Sequence, residues 1–576
     1  MNSAHLASIA IICFYIAYKY YSKYIAKNIY SLDDKIQTPA NKLSDGIDYV
    51  ATKKHILLGH HFTSIAGAAP IIGPCIAAYW GWLPALLWII IGTIFIGAVH
   101  DFGALVISIK ERGRSIADIT ADVINTRVRL MFLIFTMLLT WLVLAVFAMA
   151  IAGLFQAIPS SVIPVNIEIL IAIIFGYLIY KYNLDALIPS IFALLILYFF
   201  VWFGTNFPIS LDMIGIKTHQ IENTWIIFLF IYSGIASLLP VWLLLQPRDF
   251  INSHQLIVGL ALIFLGIFIA RPPIDAPALS NISNPSSPPL FPMLFVTIAC
   301  GAISGFHGLV ASGTTSKQIN HLKDARAIGY GAMLGEATLA IASLIAAVAG
   351  IALVKSCELP SLGYVNDLNW ATYYQSWTHA TTNKATAFVL GGGALLEQIG
   401  MPENISKTLM AVLIISFAAT TLDTATRIQR FIITEIGCAI NYKILKNKYV
   451  ATLFAVVPAI ILTMWTIPDP VTGMMNKTAW VLWPIFGASN QMLAALTLLI
   501  LTLYFWSKKK NVLPLFIPMI IIIIITFISL IIKLQSFYIQ NNYLLLFISF
   551  IMILLILWML IEGFITMKSI NKKIDD

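Results

Sequence analysis

Two hydrophobic segments of this chain are interrupted midway by residues that a helix in lipid carries poorly. The first, Gly59–Pro74, reads GHHFTSIAGAAPIIGP, and the second, Cys300–Thr315, reads CGAISGFHGLVASGTT. Each is apolar enough to enter a bilayer, yet each is dense in Gly, Ser, Thr and His. Lipid cannot hydrogen-bond a freed backbone group, so a non-helical stretch at membrane depth survives only where protein or a water-filled cavity receives it. One interrupted segment in each half of a polytopic chain is the pattern expected of a transport site.

The rest of the chain provides the membrane context. Only 11% of the 576 residues are charged and 59% are hydrophobic, against about 25% charged in an average soluble domain. Mean hydropathy is +0.88. Apolar runs predict fifteen spans, near 5–25, 56–80, 83–109, 129–153, 167–182, 186–204, 224–245, 255–270, 291–316, 327–354, 408–426, 450–467, 479–506, 512–533 and 543–567. Runs such as Ile520–Ile525 do not alternate as barrel strands do. The first apolar stretch lacks a basic leader and a cleavage site and is expected to be a true span. The stretch 386–398 is too short to cross and reads as re-entrant, and 431–442 reads as interfacial.

A net charge of +9 does not point to nucleic acid, because the basic residues sit in short loops where they set topology. With the N-terminus outside, 28 of the 35 Lys and Arg fall on the inner side, which predicts N-out and C-in. The two broken segments then run in opposite directions. Five spans from each, 56–204 and 291–506, form an inverted five-plus-five repeat of the LeuT kind whose first helices are discontinuous. The remaining divisions are an N-terminal helix and basic inner loop (1–55), two linking helices with a Pro/Ser-rich outer loop (205–290) and two C-terminal helices (507–576).

Polar groups inside spans are costly and mark function by default. Glu336 sits about nine residues into its span, roughly 14 Å deep at 1.5 Å per residue, where a carboxyl can bind and release the coupling proton. Its structural alternative is a neutral acid bonded to a neighbouring helix. His61 and His307 flank the two breaks with His60, and an imidazolium can pair with a carboxylate substrate. Substrate binding is therefore assigned to His61, Ser64, Gly67, Gly305 and His307, helped by free N–H groups at the half-helix ends. Thr420, Thr421 and Asp423, with the carbonyl of Ala66, offer hard oxygens for a cation such as Na⁺. Against this, hydroxyls in membrane helices also back-bond locally, and Asp423 can pair with Arg427 at i+4. His100-Asp101 reads as an inner boundary with gating as the minor alternative, and Asn490-Gln491 as interhelical glue or cavity lining. No Walker, dinucleotide, GxSxG or HExxH motif occurs, which argues against a pump driven by nucleotide.

The stretches Asp45–Val50, Gly59–Pro74, Gly97–Phe102, Gly113–Ser115, Ala299–Thr315, Gly329–Glu336, Thr420–Arg427 and Trp483–Gln491 resemble the carbon starvation protein A family over roughly residues 40–500. His100 stands where the family pattern has Gln, and Ser316 where it often has Pro. The resemblance implies an all-α inner-membrane symporter of the amino-acid/polyamine/organocation superfamily, importing peptides or pyruvate and linked to starvation. No cofactor is expected beyond H⁺ or Na⁺ as coupling ion, and no partner beyond a small-molecule substrate and the bilayer. Two other classes stand beside this one. One is an intramembrane enzyme with a metal such as Zn²⁺ on His60, His61, His307 and Glu336. The other is a nutrient sensor, against which the lack of a sizeable inner domain argues.

Overall fold

A computed structural model describes residues 2–32, 36–46, 48–182, 184–280, 287–359, 363–382, 384–468 and 475–575. Residues 281–286, the middle of the Pro/Ser-rich loop, therefore lie outside the described residues, as does Ile47 in the inner loop. Among the described residues, 12 helices are long and apolar enough to cross a membrane, or 13 if one bent pair counts as a single span. In chain order the elements are α1 (Ser3–Tyr30), the bent pair α2 (Lys54–Ile65) and α3 (Ala69–Trp80), α4 (Trp82–Lys110), α5 (Thr126–Ala157), α6 (Pro159–Tyr182), α7 (Leu187–Asn206), α8 (Thr218–Leu238) and α9 (Leu245–Ala270). There follow the short pieces α10 (Leu290–Thr297), α11 (Ala299–Ala302) and α12 (Gly305–Gly313). The chain continues through α13 (Leu322–Val348), α14 (Thr386–Glu397), α15 (Glu403–Ala439), α16 (Lys448–Met464), α17 (Thr478–Ser507), α18 (Leu513–Ile539) and α19 (Tyr543–Ile570).

Two expected spans fall short of that test. The segment 291–316 is divided among α10, α11 and α12, and α16 has 17 residues, below the ~20 that a hydrocarbon core requires of an untilted helix. Three other expectations are corrected. The segment 431–442 is not a separate interfacial piece, because α15 runs unbroken for 37 residues with Ile432, Ile433 and Ile436 buried. The helix α9 starts at Leu245 rather than near 255, so the polar run 246–254 lies inside it. The pair His100-Asp101 is no boundary, since α4 continues to Lys110 and buries nearly every residue from Ala98 onward. In each case, polar residues lowered the local hydropathy while a neighbouring helix received them.

The loops sort into two ends. Asn2 bridges Pro273, Leu83 N–H donates to the Ala278 carbonyl, and Asp275 N–H donates to that of Val348. At the opposite end Thr52 bridges Ile319, Lys54 pairs with Asp324 at 3.5 Å, and Gln246 donates to Gln318 at 2.7 Å. These are the groupings expected for outer and inner loops. The helices carrying the breaks sit in the centre, with α3 and α12 almost wholly buried, α2 buried from Gly59 onward and α13 and α15 buried over most of their length, while lipid-type apolar side chains are exposed on α1, α7, α8, α18 and α19.

Candidate functional site

The two broken helices lie side by side and antiparallel. A Cβ placed on Gly73 would come within 2.5 Å of the Thr297 carbonyl oxygen, and one on Gly301 would sit 3.6 Å from Pro70 Cα. Further along, His61 Nδ1 meets Thr315 Oγ1 at 2.9 Å. This register brings the first break, between Ile65 and Ala69, level with the second, at Ile303 and Ser304. The first break bends the span by 46°. The second is two residues of extended backbone, Ile303 at φ −155° and Ser304 at φ −138°.

The breaks differ in how their backbone is satisfied. No side chain on α2 or α3 caps either half of the first, and α3 begins with Pro70 in its first turn. At the second, Asn490 of α17 acts as a clasp. Its Oδ1 accepts the Phe306 N–H at 2.9 Å, and its Nδ2 donates to Ser304 Oγ at 2.9 Å and to Cys300 Sγ at 3.1 Å. Gly305 permits this approach, because a Cβ there would lie 2.5 Å from the Asn490 carbonyl oxygen and 2.4 Å from Leu493 Cβ. Gln491 ties the same helix to the Phe295 carbonyl at 2.7 Å. Both amides of the polar insert are thus interhelical glue.

Beside the second break is a buried row of imidazoles and carboxyls. His100 Nδ1 meets Asp101 Oδ1 at 2.7 Å, and Asp101 Oδ2 meets His307 Nδ1 at 2.8 Å. His307 Nε2 approaches Glu336 Oε2 at 3.2 Å, but at angles that make no hydrogen bond, so both Glu336 oxygens and His307 Nε2 lack such a partner. The residues are at most 1% exposed. The structure therefore brings two predicted residues, His307 and Glu336, into direct contact, and adds Asp101, which the sequence alone assigns mainly to a boundary, on the other side of His307.

At the first break, Asp249 of α9 reaches in from outside the helix pair. Its Oδ2 contacts His60 Nδ1 and accepts from Ser64 Oγ at 3.1 Å, while Oδ1 has no partner. On the other side, Thr421 Oγ1 donates to the Ser64 carbonyl at 3.5 Å, and a Cβ on Gly67 would lie 2.7 Å from that hydroxyl. Thr420 accepts from Asn252 Nδ2 at 2.9 Å. Ala66, Gly67, Thr420 and Thr421 are thus gathered at the junction of α2, α3, α9 and α15. Buried atoms without a partner there include His61 Nε2, Asn252 Oδ1 and both amide atoms of Gln255, and buried polar atoms of this kind call for water or a ligand.

Asp423 stands apart from that junction. Its Oδ2 accepts from Arg248 Nη1 at 2.5 Å and from Tyr232 OH at 2.7 Å, and Arg248 Nε donates to Glu168 Oε1 at 3.1 Å. Ser416 completes Glu168 at 2.6 Å. The i+4 pairing of Asp423 with Arg427 does not form, because Arg427 is directed to Asp48 at 3.5 Å and to the Leu239 carbonyl. Arg248, Asp249, Asn252, Glu168 and Tyr232 were all missed from sequence. The signals were present, since residues 248, 252 and 255 repeat along one helix face and Glu168 is a lone carboxyl in an apolar helix.

A cleft of about 530 Å³ opens on the end that holds Thr52, lined in part by Lys53, Trp242, Gln246 and Phe250. At the same end, beyond the last turn of α12, Lys317 is half-buried with Nζ 4.8 Å from the Phe431 ring centre and 5.6 Å from that of Tyr49. Burial holds its ammonium below the usual lysine range, opposed by Asp48 and Glu435. Among the described residues, no group of three or more His, Cys, Asp or Glu is set to hold a metal ion. His60 is turned to Asp249, His61 to Thr315, and His307 to Asp101 and Glu336, which disperses the set offered for zinc.

The carbon starvation protein CstA family matches over residues 2–529. A peptide transporter CstA of Helicobacter pylori is 32% identical over 568 residues, which cover 91% of this chain and 81% of that protein. The pyruvate/proton symporter BtsT of Escherichia coli K12 is 32% identical over 567 residues, covering 88% and 77%. A crystal structure of a mutant manganese transporter from Eremococcus coleocola, 14% identical, aligns over 92% of this chain and 99% of that one with a TM-score of 0.45.

Proposed function

This chain belongs to the carbon starvation protein CstA family, and from that premise we propose that it is a proton-coupled importer of small carboxylate-bearing nutrients, a class that contains both pyruvate and short peptides. One relative is named a peptide transporter and another a pyruvate/proton symporter. The observation that carries the reading is the level, antiparallel pair of broken helices with a buried carboxyl–imidazole contact at each break. Substrate docks at the first break, where uncapped N–H groups at the start of α3, His61 and Ser64 offer donors to a carboxylate. Glu336 takes the coupling proton, with His307 and Asp101 as its relay. Thr420, Thr421 and the Ala66 carbonyl border the substrate and are the place for Na⁺ in the second version of the reading, which the Thr421–Ser64 contact favours.

Segments 56–204 and 291–506 act as inverted repeats that rock about the breaks, in a bacterial inner membrane with the N-terminus outside. The asymmetry of Lys and Arg supports that orientation. Nothing in this cycle requires bond-breaking catalysis by the chain. The test is uptake of labelled pyruvate and of labelled dialanine into proteoliposomes, with pH and Na⁺ gradients imposed separately. Accumulation of either probe above equilibrium under an inward proton gradient is expected. Accumulation under a Na⁺ gradient alone moves the coupling to the threonine site, and no accumulation of either probe under any gradient overturns the reading.

A further inference from the structure

The buried carboxyls fall into two kinds according to the cation that faces them. Glu168 and Asp423 share the guanidinium of Arg248, a charge that is permanent in proteins. Asp101, Glu336 and Asp249 have only imidazoles as ion-pair partners among the described residues. An imidazole offsets a carboxylate only after it has taken up a proton, so it is a proton that balances the charge at each of these sites. Two of the three are at the second break. Asp249, with His60, is at the first.

The ionisable groups nearest Asp249 leave it in that position. From α2 come His60 and the hydroxyl of Ser64; from its own helix comes Arg248, turned away to Glu168 and Asp423. From α6 and α8 come Glu168 and Tyr232, and from α15 come Asp423 and Arg427, the last of these taken by Asp48. The guanidinium of Arg248 is thus taken by Glu168 and Asp423, and Asp249 Oδ1 is buried without a partner. An Asp249 carboxylate facing a neutral imidazole is an unpaired charge at a depth where that is costly, and a proton on the Asp249–His60 pair removes that cost.

The pair also has an exit. His60 Nε2 lies 3.4 Å from Gln318 Nε2, Gln318 Oε1 accepts from Gln246 Nε2 at 2.7 Å, and Gln246 lines the cleft at the end of the molecule that holds Thr52. The Gln318 amide can turn over to accept from a protonated His60, provided that the Gln246 amide turns with it. Nothing comparable joins Glu336 to that cleft among the described residues.

We propose that Asp249 and His60 form a second proton site, at the first break, and that two protons therefore cross with each substrate, one on this pair and one on Glu336. The inference rests on the proton-coupled reading above. Binding adds a proton to the pair, as imidazolium or as carboxylic acid, and release returns it to water on the side of the cleft, towards which Gln318 and Gln246 hold His60 Nε2.

Proton number is read in proteoliposomes with membrane voltage clamped at zero and a pH step of one unit. Thermodynamics then allows an accumulation limit of about 100-fold for two protons and about 10-fold for one, each tenfold being ~1.4 kcal/mol. Pyruvate carries one negative charge, so two-proton uptake moves net positive charge inward and one-proton uptake is electroneutral. The expected result for the intact protein is the higher limit with an inward current, and for Asp249→Asn the lower limit with pyruvate current abolished. Dialanine replaces pyruvate if it is the probe taken up, with the same two limits. A limit of about 10-fold in the intact protein overturns the proposal whether or not Asp249→Asn folds, and so does Asp249→Asn retaining the higher limit. If neither probe responds to the proton gradient at all, the proton-coupled reading fails first and the two-proton count with it.

Discussion

The two breaks are level with one another and are built on opposite principles. At the second, the interruption is only two residues long, and Asn490 from α17 accepts the Phe306 N–H after it while donating to the side chains of Ser304 and Cys300. At the first, neither half is capped by a side chain of its own, and the neighbouring groups are hydroxyls of Ser64, Thr420 and Thr421 with several buried atoms unpartnered. A clasped break costs little to maintain and cannot readily exchange partners. An unclasped one leaves polar groups whose desolvation has to be offset by a ligand or water. On the proposed reading, the pair divides the work between a fixed joint beside Glu336 and an open place for the solute.

The largest effect should come from the lock that holds α9 against the first break. Removing the guanidinium in Arg248→Met leaves Glu168 and Asp423 buried and uncompensated, a loss of about 3–5 kcal/mol. Little folded protein should survive extraction, as monodispersity on size exclusion would report. The triple change Arg248→Met with Glu168→Gln and Asp423→Asn should recover it. If Arg248→Met alone stays monodisperse and thermally unchanged, α9 is not held by this lock, and the contrast between fixed and protonatable carboxyls loses its basis. Next is the relay: with the Asp249–His60 pair still carrying its proton, Glu336→Gln should keep the fold yet lower the accumulation limit by about 10-fold at a pH step of one unit, equivalent to ~1.4 kcal/mol, while counterflow of labelled substrate persists. Normal accumulation by this variant would remove Glu336 from coupling.

The clasp comes third. Asn490→Ala leaves the Phe306 N–H and the Ser304 hydroxyl without their partner, for which about 1–3 kcal/mol is the usual cost of a stranded buried group. A lower melting temperature in detergent with substrate affinity unchanged is the expected pattern. A variant that melts normally but loses affinity would make the second break, rather than the first, the place where substrate sits.

How much of this could be read beforehand depended on whether the signal was local. The breaks themselves were legible, because Gly, Ser, Thr and Pro crowded into an apolar run free backbone groups that lipid cannot satisfy. Glu336 and His307 were legible because ionisable groups inside a span are costly, and they do meet, at 3.2 Å. The partners that give the site its chemistry were not. Asp249 lies in a polar run that averages to a loop by hydropathy, and only the polar helix face formed beside it by Arg248, Asn252 and Gln255 marks that run as helical. The i+4 rule pointed Asp423 at Arg427, but a guanidinium 175 residues away in sequence reached it instead, since ion pairs at this depth are chosen by which helices pack together. Gly305 drew attention as a lining residue, and the structure places it against α17, where the space is filled.

Ser64→Ala is the mildest change and the sharpest probe of the contrast. The hydroxyl donates to Asp249 Oδ2, and the Ser64 carbonyl accepts from Thr421 through the main chain, which the substitution leaves in place. Asp249 keeps its contact with His60, so no group is stranded and stability should fall by no more than about 1 kcal/mol, the net worth of one hydrogen bond. Transport should change more than folding does. With one donor fewer at the open break, KM should rise several-fold at little cost in maximal rate, since the proton relay at the other break is untouched. If maximal rate falls and KM does not, Ser64 serves the Asp249–His60 pair rather than the substrate, and solute binding moves along α3 towards its uncapped N–H groups.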